Sequence, residues 1–189
     1  MLIKKDAFTL IELLISLSII IILAAIAIPS FDRLVERKSI QAHVENVVKT
    51  LSAARLTAVS LNQKVTLCPT DSNNNCSKNW SQGFIAFVDH NGDRQLNDKD
   101  EVLINHQFSD RKLTLKWRAF GYKRSLQWLE TGITNHQNGT FEFCYGKDPT
   151  NGRGIFITKA GRVRYSKDSD GDGIHENATG KPIVCLPTS

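Results

Sequence analysis

Between Phe8 and Ile28 the chain runs FTLIELLISLSIIIILAAIAI, 21 residues with one charge, Glu12. A helix rises 1.5 Å per residue, so this run is long enough to cross the hydrocarbon core of a bilayer, about 30 Å thick. Lys4 and Lys5 precede it, and basic residues stay on the cytoplasmic side. A cleaved secretory signal has a shorter apolar core and an A-x-A-like site after it. Ile28-Pro29-Ser30 is a poor version of that site. A plain anchor fits the length but leaves Glu12 unexplained. An unpaired carboxylate in the membrane costs at least about 2–3 kcal/mol, and the run holds no basic residue to pair with it.

Lys4-Lys5-Asp6-Ala7 followed by Phe8-Thr9-Leu10-Ile11-Glu12-Leu13 resembles the type III (prepilin) signal of type IV pilins and type II secretion pseudopilins. The resemblance implies that a prepilin peptidase cuts between Ala7 and Phe8 on the cytoplasmic side and methylates the new amine. Glu12 then becomes the fifth mature residue, whose family role is to meet the N-terminal amine of a neighbouring subunit. Pro29 falls at the family's helix-kinking proline. The residue before the cut is usually Gly, and here it is Ala7.

Past Pro29 a helical period continues. Leu34, Ile40, Val44, Val47, Leu51, Ala54, Ala58 and Leu61 form an apolar stripe, with charged residues between them. A single helix from Phe8 to about Leu61 would be about 80 Å long, and Pro29 should bend it. From Val65 onward the pattern changes to strands at 65–68, 83–88, 112–117, 125–128, 140–144, 154–158 and 163–165. Asn91-Gly92, Asn138-Gly139 and Asn151-Gly152 punctuate them. The expected fold is α+β: a long N-terminal helix packed on an antiparallel β-sheet domain. The expected divisions are a leader at 1–7, a transmembrane or filament-core half-helix at 8–28, an amphipathic half at 29–62 and a globular β domain at 63–189.

The pieces Ala53-Ala54-Arg55, Gly83-Phe-Ile-Ala-Phe-Val-Asp89, Gly139-Thr140-Phe-Glu-Phe-Cys144 and Ala160-Gly161-Arg162-Val163-Arg164 occur in an order that resembles GspH/FimT-type minor pilins over nearly the whole mature chain. All four cysteines follow the apolar run, and an even number on the exported side suggests disulfides. Three pairings are possible. The preferred one joins Cys68 to Cys76 around a polar loop and Cys144 to Cys185, pinning the C-terminal tail.

The net charge is +5, but its distribution says more. Arg111–Arg124 has six basic residues and no acidic ones, with Trp117, Phe120 and Tyr122 among them. Basic residues mixed with aromatics suit single strands, although an alternating strand with one wet face accounts for Lys112, Lys116 and Arg118. Tyr145–Lys167 has six basic residues against Asp148 alone. In a strand Arg162 and Arg164 share a face, about 6.6–6.8 Å apart, so their guanidiniums can meet successive phosphates. Gly161 is expected to let the chain turn without blocking approach, and Lys159, Arg153 and Lys167 to widen the patch. FimT-type pilins use such a Gly-Arg-x-Arg motif to bind DNA in natural transformation. The resemblance therefore implies sequence-independent binding of double-stranded DNA, weakened by salt.

Asp168, Asp170 and Asp172 occupy positions 1, 3 and 5 of a calcium-type loop, with Gly173 at 6. Position 12 is Thr179 where a bidentate Glu is wanted. Asp89-His-Asn91-Gly-Asp93 is similar, but its Gly is misplaced, and it reads as a hairpin turn. No catalytic signature is present, the five histidines are scattered, and an enzyme is not expected. The expected partners are other pilins, prepilin peptidase, DNA and the inner membrane, which a single span holds before assembly into an extracytoplasmic pilus or a periplasmic pseudopilus. The rival expectation is a structural pseudopilin of type II secretion, or a pilus-priming subunit, without DNA contact.

Overall fold

A computed structural model describes residues 9–122, 124–146 and 148–185. Ala7, Phe8 and Lys123 lie outside them. The chain divides into two compact units, one ending at Lys38 and the other beginning at Ser39.

The first unit is the N-terminal part of α1, a helix over Leu10–Leu61. Its start has a local cause. Thr9 and Glu12 form a capping box: Thr9 N–H and Oγ1–H reach Glu12 Oε2, and Glu12 N–H reaches Thr9 Oγ1, all at 3.3 Å. Glu12 thus has hydrogen-bond partners within its own chain, although neither is a basic group. The helix runs on through Pro29. Proline withholds one N–H from the ladder, and one residue later Ser30 Oγ donates to Ile26 O at 3.1 Å. The large apolar side chains from Leu10 to Phe31 are exposed, and this segment is long and apolar enough to cross a membrane.

Among its described residues the second unit holds the rest of α1 and eight strands. Ile40, Val44, Val47, Leu51, Ala54 and Ala58 are buried and recur every three or four residues, as an amphipathic helix requires. The stripe is shorter than expected. Leu34 is 51% exposed and Leu61 50%, so neither belongs to it.

One antiparallel sheet has the order β3-β2-β1-β5, built from β1 (Val65–Pro69), β2 (Gly83–Val88), β3 (Glu101–Gln107) and β5 (Leu126–Trp128). The other has the order β4-β6-β7-β8, from β4 (Leu113–Ala119), β6 (Gly139–Tyr145), β7 (Arg153–Ile157) and β8 (Val163–Tyr165). The helical stripe and both sheets share one core, which includes Trp80, Phe84, Trp128, Phe141, Phe143 and Ile155. The sequence pattern did not reveal β3, an edge strand with polar residues at Asn105, His106 and Gln107.

The segment Asp89–Asp93, expected to be a hairpin turn, begins the connection of the antiparallel β2–β3 hairpin, which is long and spans residues 89–100. Buried Asp89 organises it. Its carboxylate accepts from Thr66 Oγ1 (2.7 Å), Gln127 Nε2 (2.7 Å), Gly92 N (2.7 Å) and Arg94 N (3.0 Å). A buried carboxylate needs such saturation, and these bonds join the loop to β1 and β5.

The disulfides are Cys68–Cys76 and Cys144–Cys185. The second fastens the C-terminal tail to β6. A Cβ on Gly152 or Gly154 would lie 3.1 or 3.0 Å from atoms of Ile183, so these glycines make room for the tail against the sheet.

Candidate nucleic-acid interface

The turn between β7 and β8 is set by its hydrogen bonds. Thr158 N donates to Arg162 O (3.1 Å), and Gly161 N donates to Thr158 O (2.8 Å). Gly161 has φ +72°, a left-handed conformation that glycine adopts without penalty. Gly161 is also buried. A Cβ on it would lie 2.4 Å from Gly132 O and 3.0 Å from Arg55 Nε, and Arg55 Nε donates to Gly132 O at 2.8 Å. The expected role is therefore corrected. Gly161 does not clear a path for phosphate; it lets the hairpin close against α1 and the β5–β6 connection.

Arg162 and Arg164 flank Val163 and are exposed. Strand alternation directs Arg164 to the face opposite Val163 and Tyr165, where it pairs across the strand with Phe156, whereas Arg162 precedes β8 in the turn. Neither guanidinium has an ion pair or hydrogen bond among the described residues. They border different grooves. Arg164 lines one of about 930 Å³ over the sheet, together with Lys159, Lys167 and Phe156. Arg162 lines one of about 600 Å³ beside Ser52, Arg55 and Leu56 of α1.

Arg153 does not join this patch as expected. Its Nη1 donates to Thr150 O (2.7 Å) and Gly152 O (2.6 Å), so that nitrogen is engaged by the carbonyls just before β7.

The acidic loop begins directly after Lys167. Asp168 accepts from Gly171 N (2.7 Å) and Gly173 N (2.9 Å), and Asp172 accepts from Ile174 N (2.7 Å). One oxygen from each of Asp168, Asp170, Asp172 and Glu176 lies within 4.8 Å of the others. The fourth carboxylate is thus Glu176, at position 9 of the loop, rather than a residue at position 12. An all-oxygen set suits a hard cation such as calcium. Beside the loop, burial and the charge of Arg153 lower the pKa of His175, whose Nδ1 lies 2.9 Å from Ser166 Oγ.

The basic stretch 111–124 reaches the same sheet from the opposite margin. In β4, Leu113 and Leu115 are buried while Lys116 and Arg118 are exposed, as an alternating strand predicts. Arg118 Nε lies 3.0 Å from Glu142 Oε2, and Lys116 pairs in register with Glu142, so this margin is partly neutralised.

Residues 43–171 match the family model for the type II transport protein GspH, and residues 3–28 match that for the prokaryotic N-terminal methylation motif. No curated protein matches the chain by sequence. Among solved structures, the type IV minor pilin FimU of Pseudomonas aeruginosa (strain PAO1) in space group P21 is similar, with a TM-score of 0.56 at 24% identity over 71% of this chain and 93% of that one. Its P65 form gives 0.52 at 23% identity, over 69% and 94%. The minor pseudopilin EpsH from the type 2 secretion system of Vibrio cholerae gives 0.49 at 13%, over 69% and 98%. The FimU likeness shows a shared α+β pilin-like fold. The GspH match covers more than half the sequence, from the buried part of α1 to the acidic loop. This chain therefore belongs to the family of the type II transport protein GspH, behind a prokaryotic N-terminal methylation motif.

Proposed function

We propose that this chain is a minor pilin that binds DNA through the β7–β8 hairpin and promotes DNA uptake in natural transformation. The observation that supports this most is the pair Arg162 and Arg164, both exposed and without ionic partners among the described residues, beside exposed Lys159 and Lys167. Free guanidiniums engage phosphates without reading sequence. In this reading prepilin peptidase cuts between Ala7 and Phe8, the apolar helix holds the chain in the inner membrane, and Glu12 and Pro29 serve assembly with other pilins. Calcium bound by Asp168, Asp170, Asp172 and Glu176 would offset the negative charge beside Lys167 and strengthen DNA binding.

The test is a DNA titration of the full-length chain in detergent, with Arg162→Ala plus Arg164→Ala as the comparison. Unchanged affinity in the double variant would sink the site assignment. A second reading, a structural pseudopilin of a type II secretion system, is favoured by the family match itself. Under it, deletion of the gene abolishes secretion and leaves transformation intact.

A further inference from the structure

The two basic stretches, far apart in sequence, meet on one sheet face. Strand registers align Arg118 with Thr140, Thr140 with Phe156, and Phe156 with Arg164. This row crosses the outer face of the second sheet from one edge to the other. Phe156 is its only aromatic. It stands half-buried on the face turned away from the core, while Ile155 and Ile157 on either side of it point inward and are buried.

An apolar ring on an outer sheet face usually packs against something. Among the described residues no aromatic ring pairs with Phe156. Its same-face neighbours along the strand are Gly154 and Thr158, and across it lies Thr140. A Cβ on Gly154 would lie 3.5 Å from Phe156 Cε1, so the ring lies close over a residue without a side chain. The tail covers the Gly152–Gly154 end of this face through Ile183. The Phe156 end opens into the 930 Å³ groove. Lys159, Arg164 and Lys167 line that groove, and Glu176 is the carboxylate among its lining residues. One Glu176 oxygen is engaged by Ser169 N at 2.8 Å.

We propose that this half of the sheet face is a stacking platform for an unpaired base, so that the site takes single-stranded DNA in preference to a closed duplex. The inference rests on the DNA-binding reading above and adds to it the form of DNA. In a duplex the bases are stacked and paired, and the phosphates lie outside. Cations alone then suffice for contact, and a ring at the floor of a groove has nothing to meet. A single strand presents both a phosphate and a free base face. Cationic rims with an aromatic floor match that combination. Arg162, which borders the other groove, and Arg164 hold the backbone, and Phe156 takes the base.

The experiment is fluorescence anisotropy of the full-length chain in detergent, with labelled oligothymidine and a labelled blunt hairpin duplex at one fixed salt concentration. The native chain should bind oligothymidine more tightly than the duplex. Phe156→Leu, which keeps apolar bulk, should weaken oligothymidine binding by about tenfold and leave duplex binding within about twofold. Phe156→Trp should restore the preference, and its fluorescence should be quenched by the oligonucleotide. Equal affinity for both probes, or an equal loss on both in Phe156→Leu, overturns the platform while leaving phosphate-mediated DNA binding in place. If neither probe binds the native chain, the DNA-binding reading falls and the platform falls with it.

Discussion

Gly161 packs edge-on against the carbonyl oxygen of Gly132, so closely that a Cβ on Gly161 would lie 2.4 Å from that oxygen. Gly132 O also accepts from Arg55 Nε of α1 at 2.8 Å. The candidate DNA hairpin is thereby braced on the helix. Gly161→Ala would meet this backbone clash at φ +72°, where alanine is strained. The variant should lose about 1–3 kcal/mol of stability, read as a lower thermal midpoint, and should bind DNA more weakly. Arg162→Ala should weaken DNA binding with the midpoint unchanged. Equal midpoints for the native chain and Gly161→Ala would refute the bracing contact.

The dependence of DNA affinity on salt counts phosphate contacts. Each neutralised phosphate contributes a slope of about 0.9 in a plot of log affinity against log salt for duplex DNA. Arg162→Ala and Arg164→Ala should each reduce the slope by roughly one such step, and Arg153→Ala should not, because its guanidinium is engaged by Thr150 and Gly152 carbonyls. A loss of slope in Arg153→Ala as large as in Arg164→Ala would return Arg153 to the patch.

Calcium should act through the acidic loop. Added calcium is expected to raise the thermal midpoint and tighten DNA binding, and magnesium to do so less, since it demands tighter octahedral geometry. Glu176→Gln should remove most of the response, because Glu176 completes the carboxylate set. Isothermal titration that finds no calcium binding to the native chain would dispose of this role.

Acid should destabilise the second unit through a histidine cluster. Burial lowers the pKa of His43 against the opposing pull of Asp110, and burial together with His43 lowers that of His106. His43 Nε2 lies 4.0 Å from Asp110 Oδ2, which also accepts from the Tyr145 hydroxyl. A histidine whose folded pKa lies below its unfolded value binds more protons when unfolded. Stability therefore rises with pH across the interval between the two values. It is complete above about pH 6.5 and declines as pH falls through the folded values. Thermal melts from about pH 7.5 down to about pH 5 should show this decline, and His43→Phe should flatten it. A flat profile in the native chain would show that neither histidine is coupled to folding.

Much of this architecture could be read from residue order. The helix and seven of the strands announce themselves through period and turn residues. β3 does not, because an edge strand with Asn105, His106 and Gln107 at its end is not required to look apolar. Leu34 and Leu61 fit the helical period yet are exposed; periodicity marks a face, and only the length of the partner surface says where its burial stops. Arg162 and Arg164 were recognisable as a pair. The spent state of Arg153, the inward contact of Gly161 and the alignment of Phe156 with Arg118 all depend on strand register and on contacts between distant segments, which local spacing does not encode.

The capping box at Thr9 and Glu12 changes how the first step of filament growth is pictured. Under the proposed assembly role, the carboxylate that greets a neighbour's amine is not bare beforehand; it is already held by the amide and hydroxyl of Thr9. Docking then becomes an exchange of one hydrogen-bonded state for another. Its driving force is the difference between two partnered carboxylates rather than the full gain of partnering a bare one.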